Sequence, residues 1–187
     1  MGDAEHERDA LSVAGLRSIS APHRGNLSPA CADRVLSWWS TDSASGEPGF
    51  INWARTDLDA SVQLATEGRI ASAKGLSIST SWTVWVESNS DGGSSVHAIE
   101  PDSVWVGGTP RIIAAIPFTK YDAVGLRGDL ATWRERSDSG TRLVSMDLRD
   151  GGVETRAVAS DTRHALVEHG VILLSSGTLS WDPSFAP

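Results

Sequence analysis

Two Trp-x-Glu steps, Trp85-Val86-Glu87 and Trp133-Arg134-Glu135, set a carboxylate two residues after an indole in two similar segments. Paired carboxylates can divide general-acid and general-base work. Their recurrence in like segments points first to a structural use, an ion pair with an arginine of a neighbouring repeat. A second group of chemistry-bearing residues lies in loops: His23 and Arg24; Arg69 and Lys74; Lys120, Tyr121 and Asp122; Arg163 and His164. Guanidinium and ammonium groups gathered in one place attract carboxylates or phosphates. An imidazole ordinarily titrates near neutral pH, so His23 and His164 suit proton transfer. Trp82 and Trp105, outside the repeating positions described below, offer flat apolar faces to a ligand. The same loop residues are also what solvated connections contain, and Asp42, Glu47, Asp91 and Asp138 would offset their field.

Other chemistries find little support. The chain lacks a Gly-x-Ser-x-Gly elbow, a phosphate-binding loop, a His-Glu-x-x-His pair and a dinucleotide fingerprint, so no cofactor is expected. One cysteine, Cys31, excludes a disulfide framework and any multi-cysteine metal site, and His6, His97 and His169 are too scattered to predict a metal centre. With 16 Lys and Arg against 24 Asp and Glu, a net charge of −8 argues against nucleic-acid binding. The charged start shows no secretory signal, and runs such as 112–117 and 171–174 are too short to span a bilayer. A cytoplasmic chain without membrane contact is the expectation, with a homo-oligomer possible.

The elements that must position these residues read as strands. No window keeps an apolar stripe at helical spacing, whereas short alternating runs bounded by Gly, Ser, Asp and Asn recur. Aligning Trp85 on Trp133 exposes a repeat. Residues 83–88 fall on 131–136, 95–99 on 142–146, and 76–78 on 124–126. An earlier copy runs through Trp38 and Trp39 to Thr56-Asp57-Leu58, and an incomplete one begins at His164. In the clearest copy the runs are 123–126, 130–135, 141–148 and 154–159, four strands in about 45 residues.

Gly128-Asp129-Leu130-Ala131-Thr132-Trp133 and Ser145-Met146-Asp147-Leu148-Arg149-Asp150-Gly151-Gly152 resemble the blades of TolB-like and WD-repeat-like β-propellers, over about residues 30–182. The resemblance implies an all-β fold: a small propeller of about four four-stranded blades in a single domain, 10–187, after a flexible 1–9. The blades would be about 20–66, 73–116, 120–160 and 163–182. Strand 10–19 would close the ring by pairing with Thr178–Asp182. In such a fold the loop residues above would ring one mouth of the channel. Trp39, Trp85 and Trp133 would occupy one equivalent position, wedged between blades. A lipocalin-like antiparallel barrel is the competing architecture, although it demands no repeat. The longer turn after Ile99, which carries Trp105, departs from the pattern and suits a contact loop or a drift in length.

Three tasks fit this sequence. The first is a module binding a small anionic or flat apolar ligand at the mouth. The second is a cofactor-independent cyclase, isomerase or lyase acting on a hydrophobic metabolite, and the third is a protein-interaction platform.

Overall fold

The computed structural model describes residues 30–41, 49–55, 57, 60–66, 69–70, 75–88, 92–115, 119–167 and 170–182. These form four antiparallel sheets in chain order. Sheet 1 holds β1 (Ala30–Ala32), β2 (Val35–Thr41), β3 (Gly49–Arg55) and β4 (Ala60–Ala65). Sheet 2 has an inner edge in two pieces, β5 (Arg69–Ile70) and β6 (Leu76–Ile78), both paired with β7 (Thr83–Ser88). It continues through β8 (Ser94–Ile99), a one-turn helix α1 (Pro101–Val104) and β9 (Arg111–Ala114). Sheet 3 comprises β10 (Lys120–Arg127), β11 (Leu130–Ser137), β12 (Gly140–Asp147) and β13 (Val153–Val158). Sheet 4 has three strands, β14 (Arg163–Val167), β15 (Gly170–Ser175) and β16 (Thr178–Asp182). The runs expected for the clearest copy fall on the four strands of sheet 3, except that Leu148 and Ala159 lie one residue past β12 and β13.

Tight hairpins follow from the turn residues. Between β15 and β16, Ser176 and Gly177 both take positive φ, 48° and 78°, the backbone of a two-residue turn whose twist matches its strands. Asp161, in the preceding connection, accepts hydrogen bonds from the Ser176 N–H at 2.7 Å and the Ser175 hydroxyl at 2.8 Å, tying that turn to the neck of the sheet.

Sheets stack face to face, and each junction has its own core. Trp39, Ile51 and Trp53 of sheet 1 meet Leu76, Trp85 and Ile99 of sheet 2. Val84, Val86, Val96 and Ala98, on the other face of sheet 2, meet Tyr121, Trp133 and Val144 of sheet 3. A smaller cluster joins Leu143 of sheet 3 to Val171 of sheet 4, with Leu166 and Leu173 against it. The middle strands are therefore covered on both sides. Residues 131–135 of β11 are all buried, so their faces carry no apolar–polar alternation. Indoles fill the wedges as expected. Trp53 and Trp85 meet edge to face across the first junction, with centroids 6.3 Å apart.

The equivalence of Trp39 with Trp85 and Trp133 fails by one residue. Trp85 and Trp133 face the preceding sheet, whereas Trp39, paired across the ladder with Ile51, faces the following one. Successive residues point to opposite faces, so Trp38 takes the side that Trp85 and Trp133 take.

The two ends of the stack differ. On the outer face of sheet 1, Trp38 is 5% exposed and Asn52 3%. On the outer face of sheet 4, Leu179 is 68% exposed, Trp181 59% and Leu174 40%. No described helix is long and apolar enough to cross a membrane. The proposed closing strand, 10–19, lies outside the described residues.

Candidate functional site

Glu87 and Glu135 are both buried, and each is satisfied by its own motif. The Trp85 indole N–H donates to Glu87 Oε1 at 2.7 Å, and the Trp133 N–H to Glu135 Oε1 at 3.3 Å. Residues two apart share a face of a strand, which brings donor and acceptor together. Glu135 is also paired with Arg142 of the neighbouring strand, Nη2 to Oε2 at 2.7 Å. The partner lies on the adjacent strand of the same sheet, not on a neighbouring repeat as expected from the sequence.

Around Glu87 the arrangement is different. Position 95, directly across the ladder, is a serine, and His97 stacks on Trp85 with centroids 5.4 Å apart. Ser95 Oγ lies 2.7 Å from His97 Nε2, and Glu87 Oε1 lies 3.9 Å from the same nitrogen. A nucleophile relay needs hydroxyl and carboxylate on opposite ring nitrogens. These two contacts converge on one, so Ser95, His97 and Glu87 do not form such a relay. The two glutamates also lie in different junctions, so they do not flank a common reacting bond.

The loop residues expected at one mouth divide. Lys120 and Arg163 are exposed at the first residues of β10 and β14, and His164 is half-buried. Tyr121 is 2% exposed and belongs to the core between sheets 2 and 3, so it cannot line a rim. Side chains of Arg69 and Asp122, and all of His23, Arg24 and Lys74, lie outside the described residues. Trp105 is packed against the core of the first junction rather than presented to a ligand. No group of three or more His, Cys, Asp and Glu among the described residues is arranged to hold a metal ion.

The described residues form a cleft at the other end of the strands, where the turns of sheets 2 and 3 meet. It holds about 340 Å³ and is lined by Thr80, Ser81, Trp82, Glu100, Pro101, Asp102, Asp129 and Arg149. The Trp82 N–H donates to Asp129 Oδ1 at 2.9 Å, and the Ser79 hydroxyl donates to the Gly128 carbonyl at 2.7 Å, so the two turns are fastened together. The Arg111 guanidinium lies over the Trp82 ring, 4.5 Å from its centroid. It also donates to the Leu148 carbonyl, joining the last strand of sheet 2 to sheet 3.

Arg149 stands at the cleft between two carboxylates, Nε 3.3 Å from Asp129 and Nη2 3.1 Å from Asp147. Its hydrogen bond holds Asp147 below the ordinary carboxylate range, and Asp147 in turn raises the Arg149 guanidinium. Across the opening, Asp102 is largely exposed and lies 3.7 Å from Arg55. The cleft lining thus holds three carboxylates, Glu100, Asp102 and Asp129, with one guanidinium, two hydroxyls and the edge of an indole, and Arg55 and Arg111 stand close by. The prolonged turn after Ile99 supplies Glu100, Pro101 and Asp102, and Trp82 is the one residue singled out from sequence that lines the cleft.

Comparison with solved structures identifies the arrangement. TolB from Acinetobacter baumannii superposes with a TM-score of 0.52 at 10% identity, over 82% of this chain and 42% of that one. An AtxE2 isopeptidase with an astexin bound superposes with a TM-score of 0.50 at 11% identity, over 83% of this chain and 27% of that one. A prolyl endopeptidase superposes with a TM-score of 0.52 at 13% identity, over 79% of this chain and 24% of that one. The architecture is β-propeller-like. At these identities the likeness concerns the fold alone, and the chain spans less than half the length of these three structures. No family model and no curated protein matches the sequence.

Proposed function

We propose that this propeller chain is a binding module whose site is the cleft beside Trp82. The observation that carries the reading is the cleft itself: Glu100, Asp102 and Asp129 placed around about 340 Å³, with Thr80 and Ser81 beside them. Three lining carboxylates outnumber the one lining guanidinium, Arg149, which is engaged by Asp129 and Asp147, while Arg55 lies beside Asp102 and Arg111 stacks on Trp82. The ligand chemistry that fits is a small cationic molecule, an amine or guanidine with hydrogen-bonding groups for the hydroxyls. An anionic ligand suits this end of the molecule poorly, since it would meet the carboxylates first. Exposed Lys120 and Arg163 stand at the opposite strand ends and leave the anion-binding alternative a different location. A catalytic role has less support, because the buried glutamates are occupied by indoles and Ser95, His97 and Glu87 lack relay geometry.

In the finer reading of the fold, the four sheets are four blades of an open arc rather than a closed ring. The exposed outer face of sheet 4 supports this, because a neighbouring blade would cover it.

Calorimetric titration with agmatine and putrescine, against citrate and inorganic phosphate, tests the binding reading. The diamines should bind, and Asp129→Asn with Glu100→Gln should weaken them at least about tenfold. Binding of citrate alone, or diamine binding unchanged in both variants, overturns it.

A further inference from the structure

Along the stack, every junction between sheets buries an apolar face, but the last sheet ends on one that is open. Its cross-strand pairs Leu174–Leu179 and Ile172–Trp181 lie side by side, with Ala165 next to Ile172 and Arg163 next to Leu174. Leu179 and Trp181 are more than half exposed, and Leu174 is 40% exposed. Arg163 is the only charged residue among the described positions of this face. Soluble chains rarely leave a contiguous apolar patch of several hundred Å² in water.

From this we infer that the outer face of sheet 4 is an interface for a second copy of the chain, related by a two-fold axis. The other end of the stack decides the symmetry. Head-to-tail assembly would seat this face on the outer face of sheet 1, but that surface is already closed to solvent at Trp38 and Asn52. What remains between copies is the self-complementary pairing of one patch with itself. The chemistry allows it. Indole, isoleucine and leucine side chains meet their own kind, and the lone Arg163 sits beside the patch on the first strand. Specific associations bury upward of about 1,000 Å² in total, and two small three-stranded faces would fall at the low end of that range. The pair should therefore be reversible and concentration-dependent.

Sedimentation equilibrium of the full chain between about 1 and 200 µM tests this, with Leu179→Asp and Trp181→Ser beside the native chain. These side chains are largely exposed, so both variants should keep the native far-ultraviolet dichroism. The native chain should show a monomer–dimer equilibrium, weakened at least about tenfold in each variant. Val106→Ser, an exposed apolar position elsewhere, should leave it unchanged. A native chain monomeric throughout overturns the proposal; if its Trp181 is also shielded from iodide quenching, the cover comes from the chain itself. A dimer that survives Leu179→Asp also overturns it and moves the contact elsewhere on the chain.

Discussion

The Trp85 indole donates its N–H to the Glu87 carboxylate 2.7 Å away, and Trp133 and Glu135 repeat the contact one sheet later. In each case the aromatic body fills the wedge between sheets while its polar edge supplies a buried acid with one of its hydrogen-bond donors. The two halves of the motif are thus one device, and they respond to substitution together.

Trp85→Phe keeps most of the apolar volume but removes the donor. It should cost about 1–3 kcal/mol in urea denaturation, the loss of a hydrogen bond donated to a buried acid. Adding Glu87→Gln to Trp85→Phe should recover part of that loss. Trp85→Ala, which also opens a cavity, should cost about 3–5 kcal/mol. Equal effects of Phe and Ala would show that the indole N–H contributes nothing.

Acid should weaken the fold in a defined window. A bidentate contact with Arg55 lowers the Asp57 carboxyl to about 2, and the Arg34 charge adds to it. The unfolded carboxyl titrates near about 4. A folded value below the unfolded one means stabilisation that is complete above about pH 4 and is lost as pH falls through about 2. Asp147 and Asp161 are lowered too, by Arg149 and by Ser175, and act in the same direction. Thermal midpoints measured between about pH 2 and pH 6 should fall on the acid side, and Asp57→Asn should flatten part of that slope. The effect should be small because these groups are solvated and screened. An unchanged slope in Asp57→Asn would remove the pair from the account.

Gly49 begins β3 against the ring of Trp39, where an added Cβ would overlap the indole nitrogen. Gly49 also exchanges backbone contacts with Thr66, donating to its hydroxyl at 3.2 Å and accepting from its N–H at 2.9 Å. Gly49→Ala should therefore cost about 1–3 kcal/mol by overpacking, read from the urea midpoint. A neutral result would mean that Trp39 has room to swing aside.

Much of the strand pattern was legible because turns punctuate it. Glycine and aspartate bracket each run of sheet 3, and the observed strands overlap those runs, although β10 begins three residues earlier than expected. The phase of Trp38-Trp39 was not legible. Strands covered on both sides lose the alternation that fixes which residue points where, and two adjacent indoles fit either assignment. The cleft was hidden for another reason. Its walls come from turns of two different repeats, with Thr80 and Ser81 far in sequence from Asp129 and Arg149. The departure from the repeat after Ile99 was the available signal, together with Trp82. Tyr121 was misplaced because a residue at a strand entrance looks like loop until the neighbouring sheet is known to cover it.

The small cluster between Leu143 and Val171 carries a mechanical meaning. Sheet 4 leans on the rest through that cluster, the Arg134 contact to the Thr162 carbonyl and the Arg156–Asp182 ion pair. Under tension, or before a protease, a stack built this way peels from its thinnest seam. The last hairpins should let go first, while the tryptophan-filled junctions hold until the end.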